Sequence, residues 1–428
     1  MKIVHLALLA SLAVPTWADT LTVDLGDSLG PATHAANGSL YGVIEKIPND
    51  IDTLVAPLNP AVFTAPARAG RGYQQPIGAA IPVAARLAGT GATVMIRLAD
   101  LCPNWPYTFP GINSYLTQVA AVIQDKKESK LTNFYGYELW NEPNATWNDD
   151  NGTFNKSLWL PTFKKVRELD PEAPIVGPSF SEYNHSWMKG FLMFAIDNNC
   201  LPEVVCWHEL GGGGGVESVA GHLRDYRALE ASLGISPRKI SINEYCDPDH
   251  FLEGQPGSSA RFIAKFERYR VDSACISWWF TDLPGRLGSL LTRKVGKPAA
   301  ESGKGGGWYF YQWYGAMTGS MVRVTPVDED TDALDGFANL DLAQKTATVC
   351  LGGPNKGTVD VNIRNVPADW TSVKVTVESV GWRSKNTAVE GTVTVSSSVQ
   401  TPANGTLQVA LTGLNGASGY RLILSAGE

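Results

Sequence analysis

The sequence predicts a (β/α)8 barrel followed by a C-terminal antiparallel β-sandwich. Three observations lead there. Between residues 37 and 317, eight apolar strand-like runs alternate with helix-length stretches. Near residue 318 the helix-length patterns stop and short alternating runs begin. Several of the earlier runs also end in an acid, an imidazole or an indole, as expected when strand ends converge on one mouth.

The eight barrel strands are placed at 39–45, 60–65, 92–99 and 134–141, then 173–179, 203–209, 239–245 and 273–280. Their apolar stretches suit strands covered on both faces by helices. Helical patterns fill the intervals, as in INSYLTQVAAVIQDKKE and SVAGHLRDYRALEASLG. The first interval, NDIDTLVAPLN, is short and interrupted by proline, so its helix is expected to be the weakest. Eight such units match the usual barrel of about 250 residues, and an open doubly wound sheet seldom needs so many. From residue 318 to 428, runs such as VDVNIRNV, SVKVTVESV and YRLILSAG alternate apolar and polar residues between turn residues, the pattern of a sandwich. The early run TLTVDLG, within residues 19–36, stands apart from the barrel and is expected to pair with that C-terminal sheet.

Composition narrows the function classes. The chain has 428 residues, 44% hydrophobic and 18% charged, with a net charge of −7. A mildly acidic surface lacks the clustered cations that nucleic acid demands, and KKESK and FKKVRELD read as solvated helix faces. Lys2, a short apolar run and the small Ala18 describe a secretory signal over residues 1–18, which implies a secreted, extracellular protein. No later stretch is apolar enough for a membrane helix. Sequons at Asn37, Asn144, Asn151, Asn155, Asn184 and Asn404 fit a glycoprotein. The six cysteines leave pairing open, with free buried thiols as likely as bridges for Cys206, Cys275 and Cys350. No cysteine pair has zinc spacing and the six histidines are scattered, so neither a metal nor an organic cofactor is expected.

The strand ends carry the chemistry. Glu142 follows strand four in WNEP, and Glu244 ends strand seven in INEY. Strand six ends in Trp207, His208 and Glu209; strand eight ends near Trp278 and Trp279. Two carboxylates flanking a glycosidic bond, with aromatic faces for sugar C–H groups, are the equipment of sugar cleavage. Neighbouring acids push their pKa values apart, so that one can donate a proton while the other attacks. Pro143 stiffens the turn that holds Glu142. Trp105 and Tyr107, after strand three, are candidates for outer sugar contacts. Strand alternation directs Glu209 away from His208, although a third acid remains a candidate there.

WNEP followed about 100 residues later by INEY resembles the clan A glycoside hydrolases, and the layout resembles glycoside hydrolase family 39. That family includes β-xylosidases, α-L-iduronidases and exopolysaccharide hydrolases. The resemblance covers the barrel and extends to the sandwich. It implies a retaining glycosidase acting on a poly- or oligosaccharide, most often β-xylosidase-like, with an endo-acting exopolysaccharide hydrolase or an inactive sugar-binding barrel as alternatives. It also implies that Glu142 is the acid/base, Glu244 the nucleophile and Asn141 a ligand of the sugar 2-hydroxyl. His208 would line the site with a platform from Trp279 or Trp278, and Arg68 or Arg71 would steady the nucleophile. The chain departs from the family after His208, where Glu209 and Leu210 lead into five glycines, 211–215. No Gly-Lys-Ser/Thr follows them, so they are not a phosphate loop.

Overall fold

The computed structural model describes residues 18–211, 214–247, 252–276, 286–288, 290–293 and 302–427. The signal assigned to residues 1–18 therefore lies almost wholly outside the described residues, as do Trp278 and Trp279.

Strand β1 (Asp19–Gly30) precedes a closed parallel barrel of β2 (Gly38–Leu40), β3 (Val62–Pro66), β4 (Thr93–Arg97) and β5 (Phe134–Glu138), then β6 (Ile175–Phe180), β7 (Val204–Trp207), β8 (Lys239–Tyr245) and β9 (Ser273–Ile276). The ring closes where β2 pairs with both β3 and β9. Gly38 permits that seam. A Cβ there would lie 2.3 Å from the Ala274 carbonyl oxygen and 2.4 Å from that of Val62. Strands such as β4 bury nearly every residue because helices cover the outside while side chains fill the inside.

The helices are α1 (Ile51–Leu54), α2 (Ala80–Leu87), α3 (Ile112–Ser129), α4 (Pro143–Thr146), α5 (Leu160–Leu169), α6 (His185–Asp197), α7 (Val219–Ser232), α8 (Pro256–Arg268) and α9 (Gly306–Gly315). In α3 the buried residues Tyr115, Val119, Val122 and Ile123 form one stripe at helical spacing, facing the barrel. The first crossover is the weak one: α1 has four residues and passes directly into a 3-10 turn at Ala56–Leu58.

After the short hairpin of β10 (Leu291–Arg293) and β11 (Ser302–Lys304), the chain forms β12 (Ser320–Thr325), β13 (Asp335–Asp341), β14 (Thr346–Gly352) and β15 (Thr358–Arg364). It ends with β16 (Val373–Val380), β17 (Val393–Gln400), β18 (Leu407–Thr412) and β19 (Gly419–Ala426). These eight strands and β1 make one nine-stranded sheet, ordered β17-β16-β19-β14-β13-β12-β1-β15-β18. Val359, Val361 and Ile363 of β15 share an apolar cluster with Val375 of β16 and Leu422 of β19, so the sheet curls over its own core as a sandwich. β1 sits inside it, antiparallel to β12 and parallel to β15.

Helix α8 joins the two bodies and is buried over nearly its whole length. Its Arg268 and Lys265 both reach Asp335 of β13, at 2.7 and 3.3 Å. All six cysteines are buried, and no disulfide is formed among the described residues. The sequon at Asn37 is also buried, its amide donating to the Leu58 carbonyl, which leaves no room for a glycan in the folded protein.

Candidate active site

The stretch Trp140–Pro143 builds the acid position. Trp140 is buried edge-on against Tyr107, Tyr115 and Trp147, and its indole donates to Thr146 Oγ1 at 3.0 Å. The Thr146 hydroxyl in turn donates to the Asn141 carbonyl at 2.7 Å. Glu142 stands at the N-terminus of α4 with φ of 51°, a left-handed conformation rare for a side chain of its size. Its N–H donates to the Ser179 carbonyl at 2.8 Å, and its own carbonyl accepts from Ala145 and Thr146. Pro143 fits the first helical position, where no N–H is needed. The hydrogen bonds on both sides hold Glu142 in this conformation.

Glu244 arrives from β8 and is buried. Arg97, at the end of β4, donates to Glu244 Oε1 from Nη1 at 2.6 Å and to Glu138 Oε2 from Nε at 2.6 Å. Asn243 donates to Glu138 Oε1 at 2.6 Å, completing a buried polar chain inside the barrel. Across the mouth, His208 Nδ1 lies 2.8 Å from Glu142 Oε1, and its Nε2 lies 3.8 Å from Glu244 Oε1. One atom from each of Glu142, His208 and Glu244 can be chosen so that all three lie within 4.8 Å of one another. Three such groups could approach a cation, but Arg97 already supplies the positive charge beside Glu244.

Burial raises the Glu244 carboxyl above the usual carboxylate range and nearby Glu142 adds to the rise, while His208 and Arg97 pull it down in part. Burial opposes charging His208, yet the Glu244 and Glu142 carboxylates outweigh it and raise the imidazole. Asp100, fully buried, is pushed up to about 6 by burial despite Arg97. It accepts from Tyr41 at 2.6 Å and from Tyr107 at 3.0 Å. Tyr107 accepts in turn from the Asn141 amide at 3.3 Å.

Of the residues expected from sequence, the structure brings together Glu142, Glu244, Asn141 and His208, with Trp105 at the rim. Three others lie elsewhere or have other partners. Arg68 pairs with Asp125 on α3, and the arginine that holds Glu244 is Arg97; Arg71 is exposed. The carboxylate of Glu209 is taken by the Trp207 indole at 2.6 Å and by His222 at 3.0 Å, on the helix side of the strand. Its backbone still serves the site, because its N–H donates to the Glu244 carbonyl. Arg97 and Glu138 were missed, although each is a charge within an apolar run, which is costly unless paired. Each was the partner that the other required.

The same fold, a parallel barrel with an appended β-sheet domain, occurs among solved glycoside hydrolases. A family 39 β-xylosidase from Caulobacter crescentus has this fold at a TM-score of 0.65 and 15% identity, covering 95% of this chain and 100% of that one. The chain belongs to the same family as N2152 from Neocallimastix frontalis, whose solved structure matches at a TM-score of 0.92 and 50% identity over 96% of this chain and 100% of that one. The 3-O-α-D-galactosyl-α-L-arabinofuranosidase of Bifidobacterium longum subsp. longum is 27% identical over 95% of this chain and 40% of its own length. The chain thus spans about two fifths of the length of the curated relatives it matches most extensively, and those relatives are glycosidases. No protein-family model matches.

Proposed function

We propose that the protein is a retaining glycoside hydrolase acting on pentosides, α-L-arabinofuranosides first. The observation that carries the mechanism is the approach of the Glu142 and Glu244 oxygens to within 4.8 Å. So close an approach of two carboxyl oxygens supports the retaining arrangement, with carboxyl groups about 5–5.5 Å apart, over the inverting one of about 6.5–9.5 Å, which must admit a water.

Glu244 attacks the anomeric carbon as the bond to the leaving oxygen breaks and Glu142 delivers its proton to that oxygen. Arg97 and His208 both address Glu244 Oε1, which leaves Oε2 as the attacking atom. Water then attacks the glycosyl ester, giving its proton to Glu142, and the Glu244 carboxylate is released. Asn141 Oδ1 is buried without a hydrogen-bond partner, which supports it as the acceptor for the sugar 2-hydroxyl.

The sequence resemblance alone puts β-xylosides first. The arabinofuranosidase relative, aligned over 95% of this chain, moves α-L-arabinofuranosides ahead of them. The family 39 β-xylosidase structure keeps β-xylosides as the second reading. The secretory pattern of residues 1–18 supports an extracellular polysaccharide as the source of substrate. The test is proton NMR of the first anomer released from 4-nitrophenyl α-L-arabinofuranoside and β-D-xyloside. Retention supports the reading, and inversion or no release overturns it.

A further inference from the structure

A cavity of about 350 Å³ adjoins the carboxylate pair, lined by Arg97, Asn141 and Glu244 together with Tyr41, Gln74, Gln75, Trp105 and Tyr107. Glu142 and His208 are not part of its lining. With Glu244 in its lining and the proton donor Glu142 outside it, this space suits the reacting sugar and what it carries rather than the leaving group. Cavities of about 300–1,000 Å³ suit ligands of drug size, more than one pentose ring needs.

The wall of this space is already organised. The loop after β3 is closed by Gly70 donating to the Gln75 carbonyl at 2.9 Å, and Gln74 donates from its backbone to the Asp100 carbonyl at 3.1 Å. That leaves the Gln74 side chain directed by a fixed backbone, with its Oε1 buried and without a hydrogen-bond partner. Buried amide oxygens are rarely left so, and a sugar hydroxyl is a matching donor. Trp105 is 49% exposed, unusual for a tryptophan, and meets Tyr107 edge-on at 5.3 Å between ring centroids. An indole held by its neighbour and open to solvent offers a face to sugar C–H groups.

We propose that Gln74, Gln75 and Trp105 form a subsite for a second sugar carried by the reacting one, so that the released product is a disaccharide or longer. This rests on the glycosidase reading above. Gln74 accepts from a hydroxyl of the second sugar, and Trp105 covers one of its faces.

The test compares wild type, Trp105→Ala and Gln74→Ala on 4-nitrophenyl α-L-arabinofuranoside, the same glycoside bearing a second sugar at O2, O3 or O5, 4-nitrophenyl β-D-xyloside and 4-nitrophenyl β-xylobioside. At least one extended substrate should exceed its single-sugar parent in kcat/KM by roughly tenfold in wild type, the size of an aromatic contact. Both substitutions should shrink that ratio toward one. Equal ratios in wild type and variants, or no preference for any extended substrate, overturn the subsite. If no nitrophenol is released at all, the glycosidase reading fails separately, and calorimetry with the free disaccharides and free pentoses decides. Disaccharide binding that Trp105→Ala abolishes supports the subsite, and binding indifferent to Trp105 overturns it.

Discussion

Arg97 Nη1 lies 2.6 Å from Glu244 Oε1, and both side chains are only 2% exposed. The same guanidinium holds Glu138, so one cation serves two buried carboxylates. Arg97→Met would leave both without it. Removing one partner of a buried pair costs about 3–5 kcal/mol, so thermal unfolding should show a large fall in Tm. Arg97→Lys keeps the charge but lacks the fork that spans both acids, and should lose turnover more than stability. Parallel melts and rate measurements on the two variants check this; an unaltered Tm in Arg97→Met would refute it.

The roles of the two acids differ in their demand on the leaving group. Glu142→Gln should retain much more activity on aryl glycosides with acidic phenols than on natural linkages, because such leaving groups need little proton assistance. Glu244→Gln should abolish turnover on both. A plot of log kcat/KM against phenol pKa, steeper for Glu142→Gln than for wild type, is the expected result.

The raised Glu244 carboxyl sets the acid side of the pH profile. Glu244 must be ionised to attack, so kcat/KM should fall as pH drops through a value above the ordinary glutamate figure of about 4.3. Stability moves the other way. A carboxyl raised on folding contributes stability below its unfolded pKa, and that contribution is lost as pH rises through the folded value. Glu244→Gln mimics the neutral form, so its Tm advantage over wild type should be present at pH 7 and vanish in acid. Melts across that range measure it.

His208 holds Glu142 through Nδ1 at 2.8 Å while facing Glu244. His208→Ala should therefore act on proton transfer, lowering kcat by about 10²-fold or more on poor leaving groups and much less on activated ones. A uniform loss across leaving groups would assign the imidazole to binding instead.

The barrel was legible because its strands are short apolar runs bounded by helices of clear period, as at Val94–Ile96 followed by the α3 stripe. Glu142 and Glu244 were legible because a carboxylate ending an apolar strand demands a reason. Arg97 was harder, since its purpose is spread over Glu138 and Glu244, 41 and 147 residues away in the chain. Arg68 and Arg71 stand near a barrel strand end as Arg97 does, and only packing shows that Arg68 turns to Asp125 and that Arg71 is exposed. Glu209 is a similar case: it stands beside His208 in the chain, yet Trp207 and His222 claim its carboxylate.

By itself, then, the order of residues determined the alternation of strand and helix, the switch to sheet beyond residue 318, and the two acids that end their strands. Those are local matters of period, turn chemistry and desolvation. The tertiary structure alone decided which charges meet, which side chains claim the Glu209 carboxylate and how much space lies beside Glu244. Such choices depend on side chains far apart in the chain converging inside a closed ring, where each buried charge must find its partner.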